Sequence, residues 1–497
     1  MRIFNTTIAK ILAGDLLQGS DAMHFNLIVI GSGPAGQKGA IAAAKLGQSV
    51  AIVDKVTMYG GVSLHGGTIP SKTLREAILF LFGLRQRAFY GHDYTVKEEI
   101  NHEDLVMRVR MVEEREMSVI RDQLKRNRIQ MFFGTGRFVD ERTLSVINED
   151  EEHTLTADNF LIACGTHPAR HPNIPFDDYT IIDVDQILDL KELPRRLIVV
   201  GAGVIGLEYA SMYAAMGIDV VLIDQRMTLL DFVDHEIIDR LKFSLMEKNT
   251  VFRLGETVES VSKEDNGMIR VMLESGKVVR GDTFLYAVGR QTNADSLNLG
   301  AIGLETDERG RISVNESFQT ALPHIYAAGD VIGFPALAAT SMEQGRLASC
   351  NMFCMPAKSS HELLPYGIYT IPEISMVGRT EQELTKNKIP YEFGTARYDE
   401  LAKGQILGAK FGFVKILFDP QTLKLLGVHI IGEQAAELIH IGQVVLSLGG
   451  TVNYFRDTVF NYPTLAEAYK VAALNGLNKL QTDHNICHVE AERCASE

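Results

Sequence analysis

At 497 residues, 46% hydrophobic and 23% charged, the chain is too long for one core and has the composition of a globular protein with two to four domains. The net charge of -14 leaves no basic footprint for nucleic acid or an anionic membrane surface, and no apolar run reaches the roughly 18 residues of a membrane-spanning helix. Five cysteines, Cys164, Cys350, Cys354, Cys487 and Cys494, are few, odd in number and irregularly spaced, which suggests neither a secreted disulfide framework nor a metal cluster and fits a reducing cytoplasm.

Residues 1–22 put Phe4, Ile8, Ile11, Leu12 and Leu16 near helical spacing, but Lys10 and Asp15 interrupt the apolar core that a signal peptide needs. They read as a poorly ordered extension ahead of a second start at Met23, with an amphipathic arm as the alternative. From Asn26 to Ile30 an apolar strand meets Gly31-Ser32-Gly33-Pro34-Ala35-Gly36. A helix of small residues follows, then the strand Val50 to Val53 ending in Asp54. Each glycine has a task. Gly31 makes the tight turn, Gly33 admits a pyrophosphate to the helix N-terminus, and Gly36 lets helix pack on strand. Asp54 is placed to accept hydrogen bonds from a ribose diol.

The next stretch, GGVSLHGGTIPSK over residues 60–72, is glycine-rich before Pro70, which predicts a helix start. Gly60 and Gly61 let backbone approach a bulky ligand. Residues 74–130 read as long charged helices, and MFFGTGRFVD and TLSVI as strands. The segment IACGTHPARHPNIP, 162–175, has the proline content of a domain boundary.

The strand-turn-helix-strand unit recurs from Leu197, with Gly201, Gly203 and Gly206 and a closing acid, Asp224, at the spacing that separates Gly31 from Asp54. Two such units mean two dinucleotides, or one duplication that kept a single site. Thr320 to Asp330 is a short apolar strand ending in Gly-Asp. From Pro365 the texture turns β-rich, with Asp419-Pro420-Gln421-Thr422 as a hairpin turn, and helical patterns begin at Glu433 and Leu465. A polar tail is predicted after Leu480.

These motifs, in this order over roughly residues 24–480, resemble the flavoprotein disulfide reductases. In that superfamily a glycine pair precedes two redox cysteines; Ser63 and Thr68 stand at their places. A histidine from the partner subunit serves as acid/base in a His-Pro-Thr-x-x-Glu segment; Tyr462 stands there. With GTIPSK, IACGT and NYPTLAEAYKVAALNGLN, the chain looks very like the soluble, flavin-containing pyridine nucleotide transhydrogenases.

The resemblance implies an α/β fold: an FAD-binding domain in two parts (23–165 and 291–364), an inserted NAD(P)-binding domain (166–290) and a C-terminal α+β dimerisation domain (365–480). Residues 1–22 and 481–497 are left as extension and tail. It implies FAD, one per subunit, NAD(H) and NADP(H) as cofactors, a homodimer or higher homo-oligomer, no metal, and a cytoplasmic setting.

Residue by residue, it carries flavin contacts onto Gly60, Gly61, Ser63, Thr68, Gly136, Gly165, Thr166, Asp330 and Ala338, and the end of the nicotinamide domain onto Gly289 and Arg290. Lys72 and Glu208 are implied to pair beside the flavin's hydride-accepting nitrogen. At the second unit, Asp224 suits the free ribose of NAD and Arg226 the 2′-phosphate of NADP, so both suit an enzyme that accepts either. Open alternatives are an NAD(P)H-dependent diaphorase or oxidase, a reductase using Cys487 and Cys494 on the tail, and an idle redox sensor.

Overall fold

The computed structural model describes residues 23–494 except 92, 93, 98, 150, 356, 358 and 360–362, with side chains as far as 480. The expectations for residues 1–22 and for the thiols of Cys487 and Cys494 lie outside the described residues. The chain divides into two compact units. One holds the chain up to Leu74, Val106–Ala169 and Gly289–Ser359; the other holds Arg75–Leu105, Arg170–Val288 and the chain from Ser360 on.

In the first unit the apolar run Met23–Ile30 becomes the central strand of a seven-stranded sheet among the described residues. It pairs in parallel with Val50–Asp54 on one side and Glu152–Ile162 on the other. Such strands are covered on both faces, which is why they read as unbroken apolar stretches. Ile325–Ala327 adds in parallel to Glu152–Ile162, so a sheet begun before the second glycine unit is finished after it. The helices Pro34–Lys45 and Ala338–Met352 touch closely: a side chain at Gly345 would meet the Ala35 carbonyl oxygen at 2.0 Å.

The second unit repeats the plan. Thr250–Leu254, Asp219–Asp224, Arg196–Val200, Thr283–Tyr286 and Ile181–Asp183 form a five-stranded parallel sheet, flanked in sequence by the antiparallel ribbon Val258–Lys263, Ile269–Leu273 and Val278–Gly281. The β-rich C-terminal stretch forms a five-stranded antiparallel sheet ordered Tyr366–Ile368, Ile374–Gly378, Leu425–Ile431, Phe413–Phe418, Glu392–Arg397. Asp419 turns the hairpin as predicted, its carboxylate accepting from the Gln421 and Thr422 N–H groups. The helix Glu467–Cys494 runs on through the segment predicted as a tail.

Within the second unit a buried lysine joins the glycine-turn half to the antiparallel sheet. Lys415 Nζ lies 3.1 Å from Asp234, 3.4 Å from Glu236, and against Glu381. Lys415 and Asp234 are each 1% exposed at the side chain, so removing Lys415 strands the Asp234 charge at a cost of about 3–5 kcal/mol. Among the described residues no helix is long and apolar enough to cross a membrane.

Candidate functional site

The two glycine turns are built alike. Gly31 has φ +106° and Gly201 φ +101°, left-handed values that side chains oppose. A Cβ on Gly31 would lie 2.2 Å from the Ala163 carbonyl oxygen, and one on Gly201 2.6 Å from that of Ala287. The third glycines are as constrained: a Cβ on Gly36 would sit 1.9 Å from the Gly31 oxygen, and one on Gly206 1.9 Å from the Gly201 oxygen. The middle glycines differ. Gly203 has nothing within 4 Å of its Cβ position, and Gly33 only the Gly61 Cα at 3.8 Å. Neither helix has a side-chain cap at its start. Open space therefore stands before two uncapped N-termini, whose orphan N–H groups and dipole favour an anion. The donor geometry fits a dinucleotide pyrophosphate in each unit.

The strand-end acids are fixed by the residue that follows the first glycine. Asp54 accepts from the Ser32 N–H and Ser32 hydroxyl, both at 2.6 Å, and from the Lys55 N–H at 2.7 Å. Burial pushes its carboxyl above the ordinary carboxylate range, although the Ser32 bonds oppose the rise. The Ser32 hydroxyl also accepts from the Gly60 N–H at 2.8 Å, and a Cβ on Gly61 would stand 2.6 Å from the Gly33 Cα. The Gly60-Gly61 turn is thus pressed backbone to backbone against the first glycine turn. Ser32 was not foreseen as a bridge, although its place inside the motif was visible.

Asp224 accepts from the Ala202 N–H at 2.6 Å and the Arg226 N–H at 2.8 Å, and the Arg226 guanidinium forks onto both carboxylate oxygens at 2.9 and 2.8 Å. Burial works to raise the Asp224 pKa, but the Arg226 fork and the two N–H bonds outweigh it and hold the carboxyl below its ordinary range. The sequence named both residues as separate readers of a ribose and a phosphate; the structure adds that they are bonded to each other.

The other first-unit residues fall into a cluster and some outliers. Thr166 accepts from Arg290 Nε through its hydroxyl at 2.8 Å and from Arg290 Nη2 through its carbonyl at 2.9 Å. The same hydroxyl faces Asp330 Oδ2 at 3.5 Å, and the Ser341 hydroxyl donates to Asp330 Oδ1 at 3.3 Å. Gly165 has φ +66° and Gly289 φ +82°, each with no neighbour within 4 Å of its Cβ position. Ala338 opens the helix that carries Ser341. Asn293, unremarked in the sequence, ties this corner by donating to the Cys164 carbonyl at 2.9 Å. Burial pushes the Cys164 thiol up to about 12, so it stays protonated and unreactive. Gly136 is a strand residue whose Cβ would meet Leu144 and Val53 at 3.3 and 3.4 Å; those neighbours give it a packing reason to be glycine.

Ser63 lies in the one-turn helix Val62–His65, and the main helix starts at Thr68, two residues before Pro70. Lys72 donates to the Ser71 hydroxyl at 3.3 Å. In the second unit Glu208 is buried, 3% exposed, and accepts the Tyr369 N–H at 2.9 Å. Tyr462 is 73% exposed.

Comparisons with known proteins bear on this arrangement. Residues 25–345 match the family described as pyridine nucleotide-disulphide oxidoreductase, and residues 364–473 its dimerisation domain. The soluble pyridine nucleotide transhydrogenase of Mycobacterium bovis is 53% identical over 460 residues, 92% of this chain and 98% of the relative. That of Vibrio atlanticus is 45% identical over 468 residues, 93% and 100% of the two chains. Among solved structures, LpdA from Mycobacterium tuberculosis superposes with a TM-score of 0.82 at 25% identity, covering 91% of this chain and 99% of that one.

The contrast between the glycines is testable. Gly203→Ala adds a methyl only to open space, so the protein is expected to keep its melting temperature within about 2 °C while its affinity for a nicotinamide dinucleotide falls at least about 10-fold. Gly206→Ala drives a methyl onto a carbonyl oxygen and is expected to destabilise the fold by roughly 1–3 kcal/mol or more. Calorimetry and equilibrium binding on both variants check the pair.

Proposed function

The chain belongs to the pyridine nucleotide-disulphide oxidoreductase family, and from that premise we propose that it is an NAD(P) transhydrogenase, passing reducing equivalents reversibly between NADPH and NAD with FAD as its bound cofactor. The observation that carries the reading is the pairing of two intact dinucleotide turns with hydroxyl side chains at 63 and 68. Chains of this family that reduce disulfides need thiols there; Ser63 and Thr68 leave FAD as the sole redox centre.

When bound, the flavin ring supplies the hydride acceptor and donor. The protein's own share is binding, orientation and charge. Gly33 admits the flavin nucleotide's pyrophosphate to the first helix start, Asp54 takes its ribose, and Asp330, with Thr166 and Ser341, holds its ribityl and phosphate part. In hydride transfer Lys72 would supply positive charge and Glu208 an orienting carboxylate. Ser63 and Thr68 would offer hydroxyl groups to the flavin where thiols stand in disulfide-reducing chains of the family. The dimerisation domain pairs two subunits, and the sparse cysteines suit a cytoplasmic setting.

Only the second unit then remains for nicotinamides, so NADPH and NAD occupy it in turn around Gly203. In initial-rate measurements with both varied, parallel lines are expected; intersecting lines, the mark of a ternary complex, contradict the one-site scheme.

Selection between the two falls to the Asp224–Arg226 fork. For NAD the acid bonds the ribose diol; for NADP the 2′-phosphate competes with Asp224 for the guanidinium. Losing a charge-assisted bond costs about 1.5–3 kcal/mol, so Arg226→Ala is expected to lower kcat/KM for NADPH by roughly 10- to 150-fold and to change NADH only a few-fold. Stopped-flow half-reactions with each donor separate recognition from turnover; equal slowing of both donors would make the fork structural.

A further inference from the structure

The short segment Tyr369–Glu373, joining the first two strands of the antiparallel sheet, is served by side chains from three other parts of the second unit. The Tyr369 N–H donates to Glu208 at 2.9 Å, and the Ile371 N–H to the Ser211 hydroxyl at 3.0 Å. The Thr370 carbonyl accepts from Arg75 Nε at 3.1 Å, and the Ile371 carbonyl from Lys248 Nζ at 3.2 Å. Arg75 Nη2 also pairs with Glu373 at 3.2 Å, both side chains under a tenth exposed. Glu373 is anchored in turn by the Ala436 N–H at 2.6 Å.

This is more than backbone satisfaction. Four backbone polar groups of an irregular strap meet side chains from three other parts of the unit, and the strap is almost dry, Thr370 being 0% and Ile371 8% exposed. Breaking one bond in such a place leaves a buried group unpaired. Glu208 and Ser211 sit three residues apart on the helix Val204–Ala215, and the Ser211 hydroxyl donates to the Glu208 carbonyl at 2.8 Å. The strap therefore grips both the Glu208 side chain and the helix turn beneath it. Arg75, for its part, follows Lys72 by three residues.

We infer that Arg75 is a positioning residue for Glu208: clamped by Glu373, its guanidinium fixes the strap whose Tyr369 N–H orients the Glu208 carboxylate. The inference rests on the role proposed above for Glu208 in hydride transfer. It assigns a function in the reaction to a buried ion pair that lies outside both glycine motifs in the sequence. Burial pushes the Glu373 carboxyl above its ordinary range, although the Arg75 charge opposes the rise.

The test compares Arg75→Met, Glu208→Gln and the double variant in the full-length, flavin-loaded protein. Two quantities are read: hydrogen–deuterium exchange at the Tyr369 and Ile371 amides, and the rate constant for flavin reduction by NADPH in a stopped flow. Arg75→Met is expected to speed exchange at both amides about 10-fold or more. It should slow reduction by roughly 10- to 100-fold with the NADPH dissociation constant within about 2-fold, and add almost nothing to the defect of Glu208→Gln. Defects that multiply in the double variant, or amide exchange left at the wild-type rate, overturn the inference. If Glu208→Gln alone reduces its flavin at the wild-type rate, the proposed role of Glu208 fails instead, and amide exchange still judges the strap. Should Arg75→Met not fold, Arg75→Lys and Glu373→Gln are read in the same way. Both are expected to loosen the two amides and slow reduction to a smaller degree, and wild-type exchange in both contradicts the clamp.

Discussion

Each dinucleotide unit depends on a contact that only glycine permits: the start of a helix pressed against the carbonyl of the preceding turn. At Gly36 and Gly206 the spare distance for a methyl is 1.9 Å, far inside van der Waals contact. That approach fixes where the uncapped helix N-terminus points, and the open space before Gly33 and Gly203 follows from it. The acids depend on the same turns, because the N–H after each first glycine, Ser32 or Ala202, is what holds Asp54 or Asp224. One backbone constraint thus sets both the uncapped helix start and the strand-end acid, twice in one chain.

The two copies have diverged in what surrounds the acid. Around Asp54 the partners are a neutral hydroxyl and backbone N–H groups, and burial raises its pKa. Around Asp224 there is a guanidinium, and the carboxyl is held low. An acid bonded to neutral donors suits one permanent guest. An acid sharing an arginine with its guest suits exchange between two guests that differ by a phosphate, which is the behaviour a transhydrogenase needs. The family's fold is common to enzymes with other tasks, so this reading comes from the residues at 63, 68, 224 and 226 and from relatives at 45 and 53% identity, not from the architecture.

Much of this was legible in the sequence because glycine spacing and apolar runs report backbone constraints directly. Both turns, both acids, the return of the strand Ile325–Ala327 to the first sheet and the Asp419 hairpin stand where the pattern puts them. Less visible were features set by packing at a distance. Residues 75–105 group with the second unit, which no local signal announces. The short helix Glu381–Lys386 and the strand Glu392–Arg397 are too brief for periodicity to reveal. The strap that holds Glu208 joins residues some 160 positions apart, and Arg75 reads in sequence as one more charge on a charged helix. Gly136, which the resemblance gives to the flavin, also has sheet packing against its Cβ position; a glycine alone does not say which neighbour requires it.

In the proposed mechanism a single flavin, without thiols, serves two nicotinamides at one site. Anaerobic titration of the purified protein with NADPH, followed by NAD, tests it most directly. The flavin absorbance is expected to bleach at two electrons per subunit, with no long-wavelength thiolate-to-flavin band, and to recover when NAD is added. A four-electron end point, or flavin that stays bleached in excess NAD, would contradict it.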